Sequence, residues 1–91
     1  MRKLPVSYII EYLPSVVSKD IPLLSKTIRI QIQKAIEEKL TIDPISFGKP
    51  LQYSLKGLRR LRVGDYRVIY QIKDETVLIV TIKHRKEIYV D

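Results

Sequence analysis

The sequence predicts an α+β fold: an N-terminal strand, a helical hairpin, then a three-stranded antiparallel meander, with one sheet packed on the helices. Three observations lead there. Six apolar residues between Leu24 and Leu40 recur at the spacing of one helix face. After Gly57 the chain divides into three runs rich in β-branched and aromatic residues, separated by short turns. Near the N-terminus an alternating stretch is halted by a proline. Ninety-one residues support one core, so residues 1–91 are read as a single domain.

Taken in order, Val6–Leu13 is predicted as the first strand, with Val6, Tyr8, Ile10 and Tyr12 on one face and Pro14 ending the ladder. Ser15–Lys19 can form a short helix opened by Pro14, before Asp20-Ile21-Pro22 interrupts it. The main helix runs from Leu24, with Leu24, Ile28, Ile32, Ala35, Ile36 and Leu40 as its core stripe. It finishes before Pro44, because a residue preceding proline is pushed out of helical geometry. Ile45–Lys56, with Gly48 and Pro50, reads as a connector containing a short extended piece. Gly57–Val63, Tyr66–Ile72 and Thr76–Lys83 are the meander strands. The unbroken apolar run Val77–Val80 suggests a central strand covered on both faces.

Composition narrows the chemistry. There is no cysteine, which excludes disulfides, thiol nucleophiles and thiolate zinc sites, and the single histidine, His84, excludes a multi-histidine site within one chain. No metal or cofactor is therefore expected. No stretch approaches the roughly 20 apolar residues of a membrane span, and the first residues do not read as a secretory signal, so a cytoplasmic protein without a membrane partner is expected. The net charge is +7, unevenly spread: residues 1–48 hold seven basic and five acidic side chains, residues 49–91 ten and five. From Lys49 to Lys73 the one acid is Asp65. Such a skew points to a polyanionic partner, against the plainer reading of surface solubility.

Gly64-Asp65 fits a two-residue hairpin turn with glycine first, and the turn sets the register: Val63 opposite Tyr66, Arg62 opposite Arg67, Leu61 opposite Val68, Arg60 opposite Ile69. Leu61, Val63, Tyr66, Val68 and Tyr70 then form an apolar face, and Arg60, Arg62 and Arg67 share the other. Like charges directly opposite each other destabilise a sheet by a few tenths to about 1 kcal/mol, so a purely structural hairpin has no reason to set Arg62 against Arg67. Three guanidinium forks on one face suit phosphate oxygens; pairing with acids from elsewhere in the chain is the alternative. Lys83-His84-Arg85-Lys86-Glu87-Ile88-Tyr89 could bring further groups to that face. Asp65, Asp74 and Glu75 read as turn residues.

The stretch Leu55-Lys-Gly-Leu-Arg-Arg-Leu-Arg-Val-Gly-Asp-Tyr-Arg-Val-Ile-Tyr70, followed by Lys83-His-Arg-Lys-Glu-Ile-Tyr89, resembles the RelE branch of the RelE/ParE toxin superfamily. That resemblance implies a metal-independent endoribonuclease that cuts mRNA on the ribosome and is neutralised by a cognate antitoxin in a toxin–antitoxin hetero-oligomer. It implies attack of the ribose 2′-hydroxyl on the adjacent phosphate, with the protein supplying charge and positioning. The acidity expected of the antitoxin comes from this chain's own basic face, and either that face or a hydrophobic groove between helix and sheet could receive an antitoxin helix. By position, Arg67 matches the family arginine that stabilises the crowded phosphate, and Arg85 and Tyr89 match its C-terminal arginine and tyrosine, near the leaving oxygen and the attacking hydroxyl. Arg60 falls where some members carry a catalytic lysine. Arg62, Lys56, Lys49 and His84 are expected to contact RNA, and His84, with an ordinary pKa near neutrality, is a candidate acid or base. Leu58 departs from the pattern, replacing a second basic residue of some members. Two rival readings remain: a ParE-like gyrase poison on the same fold, and a basic RNA-binding module without chemistry.

Overall fold

The computed structural model describes residues 7–52 and 56–87. Strand β1, Ile9–Tyr12, is followed by a wide helical turn at Val16–Asp20 and a tight one at Ile21–Leu23. Helix α1, Lys26–Ala35, continues as a wider turn over Ile36–Leu40. A short helix α2, Pro44–Phe47, leads into β2, Lys49–Pro50, and the chain closes with β3, Arg59–Val63, β4, Tyr66–Lys73, and β5, Thr76–His84. A last helical turn spans Arg85–Glu87. Among the described residues no helix is long and apolar enough to cross a membrane.

Among the described residues the sheet has five strands, in the order β1-β5-β4-β3-β2. β3, β4 and β5 form the expected antiparallel meander, and β1 lies parallel to β5, Ile9 opposite Thr76 and Tyr12 opposite Ile79. The sheet gains one strand over the four expected, because Lys49 and Pro50 pair with Arg60 and Arg59. Proline is admitted there because β2 is an edge strand.

The predicted stripes meet in one core. Leu24, Ile32, Ile36 and Leu40 are buried against Leu61, Val68, Tyr70, Val77, Ile79 and Ile82, with Ile28, Ala35, Tyr8, Ile10 and Tyr12 packed around them. α1 begins two residues later than Leu24 implies: Leu24 is extended, and the Ser25 side chain caps the helix by accepting from Ile28 N–H at 3.2 Å. α2 lies in the segment that the sequence predicts as a connector. Its start follows from Pro44 at the first helical position and from Asp43, whose side chain accepts the Ser46 N–H.

The expectation that Val77–Val80 is covered on both faces is corrected. β5 is indeed interior to the sheet, but the helices lie on one face alone, so Val77, Ile79 and Ile82 are buried while Leu78 and Val80 are half-exposed. A bulge accounts for the change of phase: Tyr70 faces Ile79 but Ile69 faces Thr81, leaving Val80 as the extra residue. Without it Thr81 would point into the core and Ile82 out.

β1 ends beside Ile79, so among the described residues the β5 edge beyond it lacks a strand partner. Asp20, 6% exposed, takes that place. Its carboxylate accepts from Ile82 N–H at 2.9 Å, Thr81 Oγ1 at 2.9 Å and Lys83 Nζ at 2.8 Å. On the far side, Tyr70 and Arg59 hold α2: Tyr70 OH donates to the Pro44 carbonyl at 2.6 Å, and Arg59 Nη2 donates to those of Ile45 and Gly48. A side chain at Gly48 would begin 1.6 Å from Tyr70 OH, so glycine is required where α2 passes over the buried ring.

Candidate nucleic-acid interface

Hairpin register builds the site. Gly64, at φ +59°, opens the two-residue turn, and Arg62 stands opposite Arg67, Arg60 opposite Ile69 and Val63 opposite Tyr66, as the sequence predicts. Two neighbouring strands extend the array. Lys49 of β2 pairs with Arg60, and the β5 bulge brings Lys83 opposite Arg67. The face away from the helices therefore carries two transverse rows, Lys49–Arg60–Ile69–Thr81 and Arg62–Arg67–Lys83. Each juxtaposition of like charge costs stability. Ile69, in the middle, is 4% exposed although it lies outside the core cluster; the stems of its outer-face neighbours must cover it.

Arg85 joins this array from the C-terminal turn. Its N–H donates to the Asp65 carbonyl at 2.7 Å, which docks that turn on the hairpin, and its Nε lies 3.8 Å from Asp65 Oδ1 in an exposed ion pair. Among the described residues no carboxylate lies within salt-bridge distance of Arg60, Arg62 or Arg67, so the alternative of internal pairing finds no support there. Burial first, and then the charges of Arg62, Arg60 and Arg85, lower the pKa of the Arg67 guanidinium, with Asp65 opposing. Arg67 Nη1 is buried with no hydrogen-bond partner among the described residues. Buried donors are rarely left so, and a phosphate oxygen would complete it.

Lys83, which joins the array only through the β5 bulge, is already committed. Asp20 holds its ammonium, raising its pKa through a hydrogen bond, while burial opposes and the Asp20 charge adds to the rise. Burial works to raise the Asp20 carboxyl too, but the hydrogen bonds from Lys83, Ile82 and Thr81 outweigh it and hold the group below the ordinary carboxylate range.

The other expected residues are placed differently. His84 needs correction as a phosphate-face residue: it pairs with Tyr66, on the helix side of the sheet, because consecutive strand residues alternate faces. Its ring meets Tyr66 edge-on at 5.2 Å and its Nδ1 accepts the Lys86 N–H at 3.2 Å. Lys56 lies at the far end of the sheet, where its carbonyl accepts from Gln71, about 13 Å along β4 from Arg67 at the usual rise per residue. Tyr89 lies outside the described residues, as does Val6 of the first predicted strand. Among the described residues no group of three or more His, Cys, Asp or Glu side chains is arranged to hold a metal ion.

A family profile described as the ParE toxin of type II toxin–antitoxin systems, parDE, matches residues 10–89. The chain belongs to that family. It is 35% identical over 74 residues to the toxin RelE of Mycobacterium tuberculosis, covering 79% of this chain and 76% of that protein. It is 44% identical over 52 residues to the toxin RelG of the same organism, a stretch spanning 55% of this chain and 60% of RelG, less than two thirds of that relative's length. The fold matches a chain of the RelBE2 toxin–antitoxin complex from M. tuberculosis with a TM-score of 0.79 and 30% identity, covering 92% of this chain and 98% of that one. The resemblance drawn from the arginine hairpin and the element order agrees with both the family and the fold.

Proposed function

We propose that this chain is a RelE-type endoribonuclease toxin of the cytoplasm, formed by residues 1–91 as one domain, that cuts mRNA on the ribosome. The observation that carries the reading is the set of arginines on the open face of the sheet. Arg60, Arg62, Arg67 and Arg85 crowd together with the exposed Asp65 beside Arg85 as their one ion-pair partner among the described residues, and Arg67 keeps a buried donor unpartnered. Their mutual repulsion is relieved when a phosphate enters, and relieved most when the phosphate carries its greatest charge. That differential is what accelerates a reaction rather than tightening binding alone.

In the proposed reaction the 2′-oxygen of one nucleotide forms a bond to the adjacent phosphorus and loses its proton. The bond from phosphorus to the 5′-oxygen breaks, and that oxygen takes up a proton. The products are a 2′,3′-cyclic phosphate and a free 5′-hydroxyl. Arg67, centred in its row, binds the non-bridging oxygens, and Arg60 and Arg62 hold the neighbouring backbone, with Lys49 beside them. Arg85 neutralises the departing 5′-oxygen, and Tyr89 is assigned to the attacking hydroxyl on the family resemblance. His84 has no part in this scheme, because its ring lies on the other side of the sheet; loss of activity in His84→Ala with the fold intact would return it to the mechanism. No metal is required, since guanidinium charge takes the role an ion would fill.

A cognate antitoxin is the proposed partner, supported by the RelBE2 match, whose solved form is a toxin–antitoxin complex. An acidic segment would complement the same arginine face and block it. The ParE description of the matching family keeps a gyrase-poisoning activity as the second reading.

The deciding experiment is translation of a defined message in vitro with purified protein, mapping RNA ends by primer extension, with Arg67→Ala in parallel and gyrase supercoiling measured on the same preparations. Cuts that need the ribosome and vanish in Arg67→Ala are expected. Intact message with inhibited supercoiling would replace the ribonuclease reading by the gyrase one.

A further inference from the structure

A second feature adjoins the arginine array, sharing Lys49, Arg60 and Arg62 with it and adding residues that the reaction above does not use. β2 covers the edge of β3 at Arg59 and Arg60 alone, so among the described residues the edge at Leu61–Val63 has no strand partner. A depression opens there, lined by Lys39, Phe47, Lys49, Arg60, Leu61 and Arg62. Four of the six are cations, none is an acid, and one is an aromatic ring. Phe47 is 49% exposed at the end of α2. Phe47 is held in position: Arg59 and Tyr70 tie α2 to the sheet by three hydrogen bonds to its backbone carbonyls and that of Gly48. Lys39 Nζ lies 5.8 Å from the ring centroid over one face.

We propose that Phe47 is a stacking platform for one nucleobase of the single-stranded RNA whose phosphates lie on Arg60, Arg62 and Lys49. This rests on the ribonucleic-acid reading of the arginine face and extends it by a subsite. A groove of cations that tracks a backbone, with an aromatic side chain in its lining, is an arrangement by which proteins hold single strands. The ring offers the base a flat apolar surface, and the charge of Lys39 is available to the adjoining phosphate. Arg60 and Arg62 line both this depression and the array around Arg67. A base on Phe47 therefore belongs to a nucleotide close to the scissile phosphate, and it helps to fix which phosphate meets Arg67. Phe47 is a positioning residue in this scheme.

The test uses the full chain and its Phe47→Ala, Phe47→Leu and Phe47→Trp variants, with folding checked by thermal melting. Affinity is read by fluorescence anisotropy on labelled hexa-adenylate, hexa-uridylate and an abasic hexamer, and cut positions are read on the ribosome-bound message. Loss of one base stack predicts affinity about 5- to 100-fold weaker for the base-bearing oligomers in Phe47→Ala, with little change for the abasic one. Phe47→Leu should resemble Phe47→Ala, and Phe47→Trp should restore binding. In cutting, Phe47→Ala should raise KM more than it lowers kcat and redistribute the cut sites. Equal affinity of Phe47→Leu and the parent chain would overturn the proposal, since an apolar side chain without a π-face would then suffice. Unchanged RNA affinity in Phe47→Ala, together with weakened binding of a labelled oligoglutamate peptide, would overturn it in favour of a protein partner at this edge. If Arg67→Ala abolishes cutting while Phe47→Ala changes nothing, the stacking inference falls and the ribonuclease reading stands. If Phe47→Ala weakens RNA binding but the parent chain cuts no message, the reverse holds.

Discussion

Arg67 has a like charge on each side, Arg62 on β3 and Lys83 on β5, and a buried nitrogen without a partner among the described residues. Stability alone would not select such a residue, and two outcomes separate its two effects. Arg67→Ala should lower ribosome-dependent cutting by about 10²–10³-fold, the usual cost of removing one transition-state donor, while weakening RNA binding only several-fold; equal losses in a single-turnover cutting assay and a binding titration would count against catalysis. The same substitution should leave the fold as stable or raise its stability by up to about 1 kcal/mol, because a like-charged cross-strand pair disappears. Chemical denaturation checks this. Gly48 marks the opposite case, a residue chosen for packing: Gly48→Ala meets the buried Tyr70 hydroxyl and should cost about 1–3 kcal/mol of stability, as overpacked cores do.

At the level of elements, β5 is held by two different devices along one edge, strand pairing with β1 up to Ile79 and the Asp20 carboxylate beyond it. Asp20→Ala strands the buried Ile82 N–H and should cost about 1–3 kcal/mol, with the partly exposed Lys83 contact adding little. The pH dependence follows from the two directions of shift. Asp20 is held below the ordinary carboxylate value, so its contribution is complete above about pH 3.9, the unfolded value, and is lost as pH falls through the lower folded one. Lys83 is held above its ordinary value, so its contribution is complete below about pH 10.4 and is lost as pH rises through the folded one. Asp20→Asn keeps an acceptor for Ile82 but removes the charge, so the fall in denaturation midpoint on acidification below about pH 4 should be shallower than in the parent chain. An unaltered acid limb would mean that other carboxylates set it.

Across the whole molecule, charge and apolar surface are sorted to opposite faces of one sheet. The helices cover one face, and Lys49, Arg60, Arg62, Arg67 and Arg85 collect on the other, with Lys83 alone among them neutralised by a buried acid. Five cations facing single-stranded RNA predict that log affinity falls with log salt at a slope of roughly −3 to −4, and that each single substitution to alanine among them reduces the slope by about 0.7. Titration of labelled RNA at several salt concentrations measures both. A slope near zero in the parent chain would remove the arginine face as an RNA site.

Much of this was legible in the amino-acid order because it depends on contacts close in sequence. The α1 stripe from Leu24 to Leu40 repeats at helical spacing, and the Gly64-Asp65 turn fixes which of Arg60, Arg62 and Arg67 share a face, since a two-residue hairpin admits one register. What the tertiary structure decided depends on residues far apart. The bulge at Val80 brings Ile82 inward and Lys83 opposite Arg67, while leaving His84 with Tyr66 on the helix side; a hairpin register carried unbroken from Lys73 and Thr76 would reverse all three. Asp20 meets β5 across about sixty residues of chain, and Tyr70 reaches back to Pro44 to seat α2 and with it Phe47. Local periodicity encodes which face a side chain takes within its own strand or helix, but which elements become neighbours is set by how the whole apolar surface is buried at once.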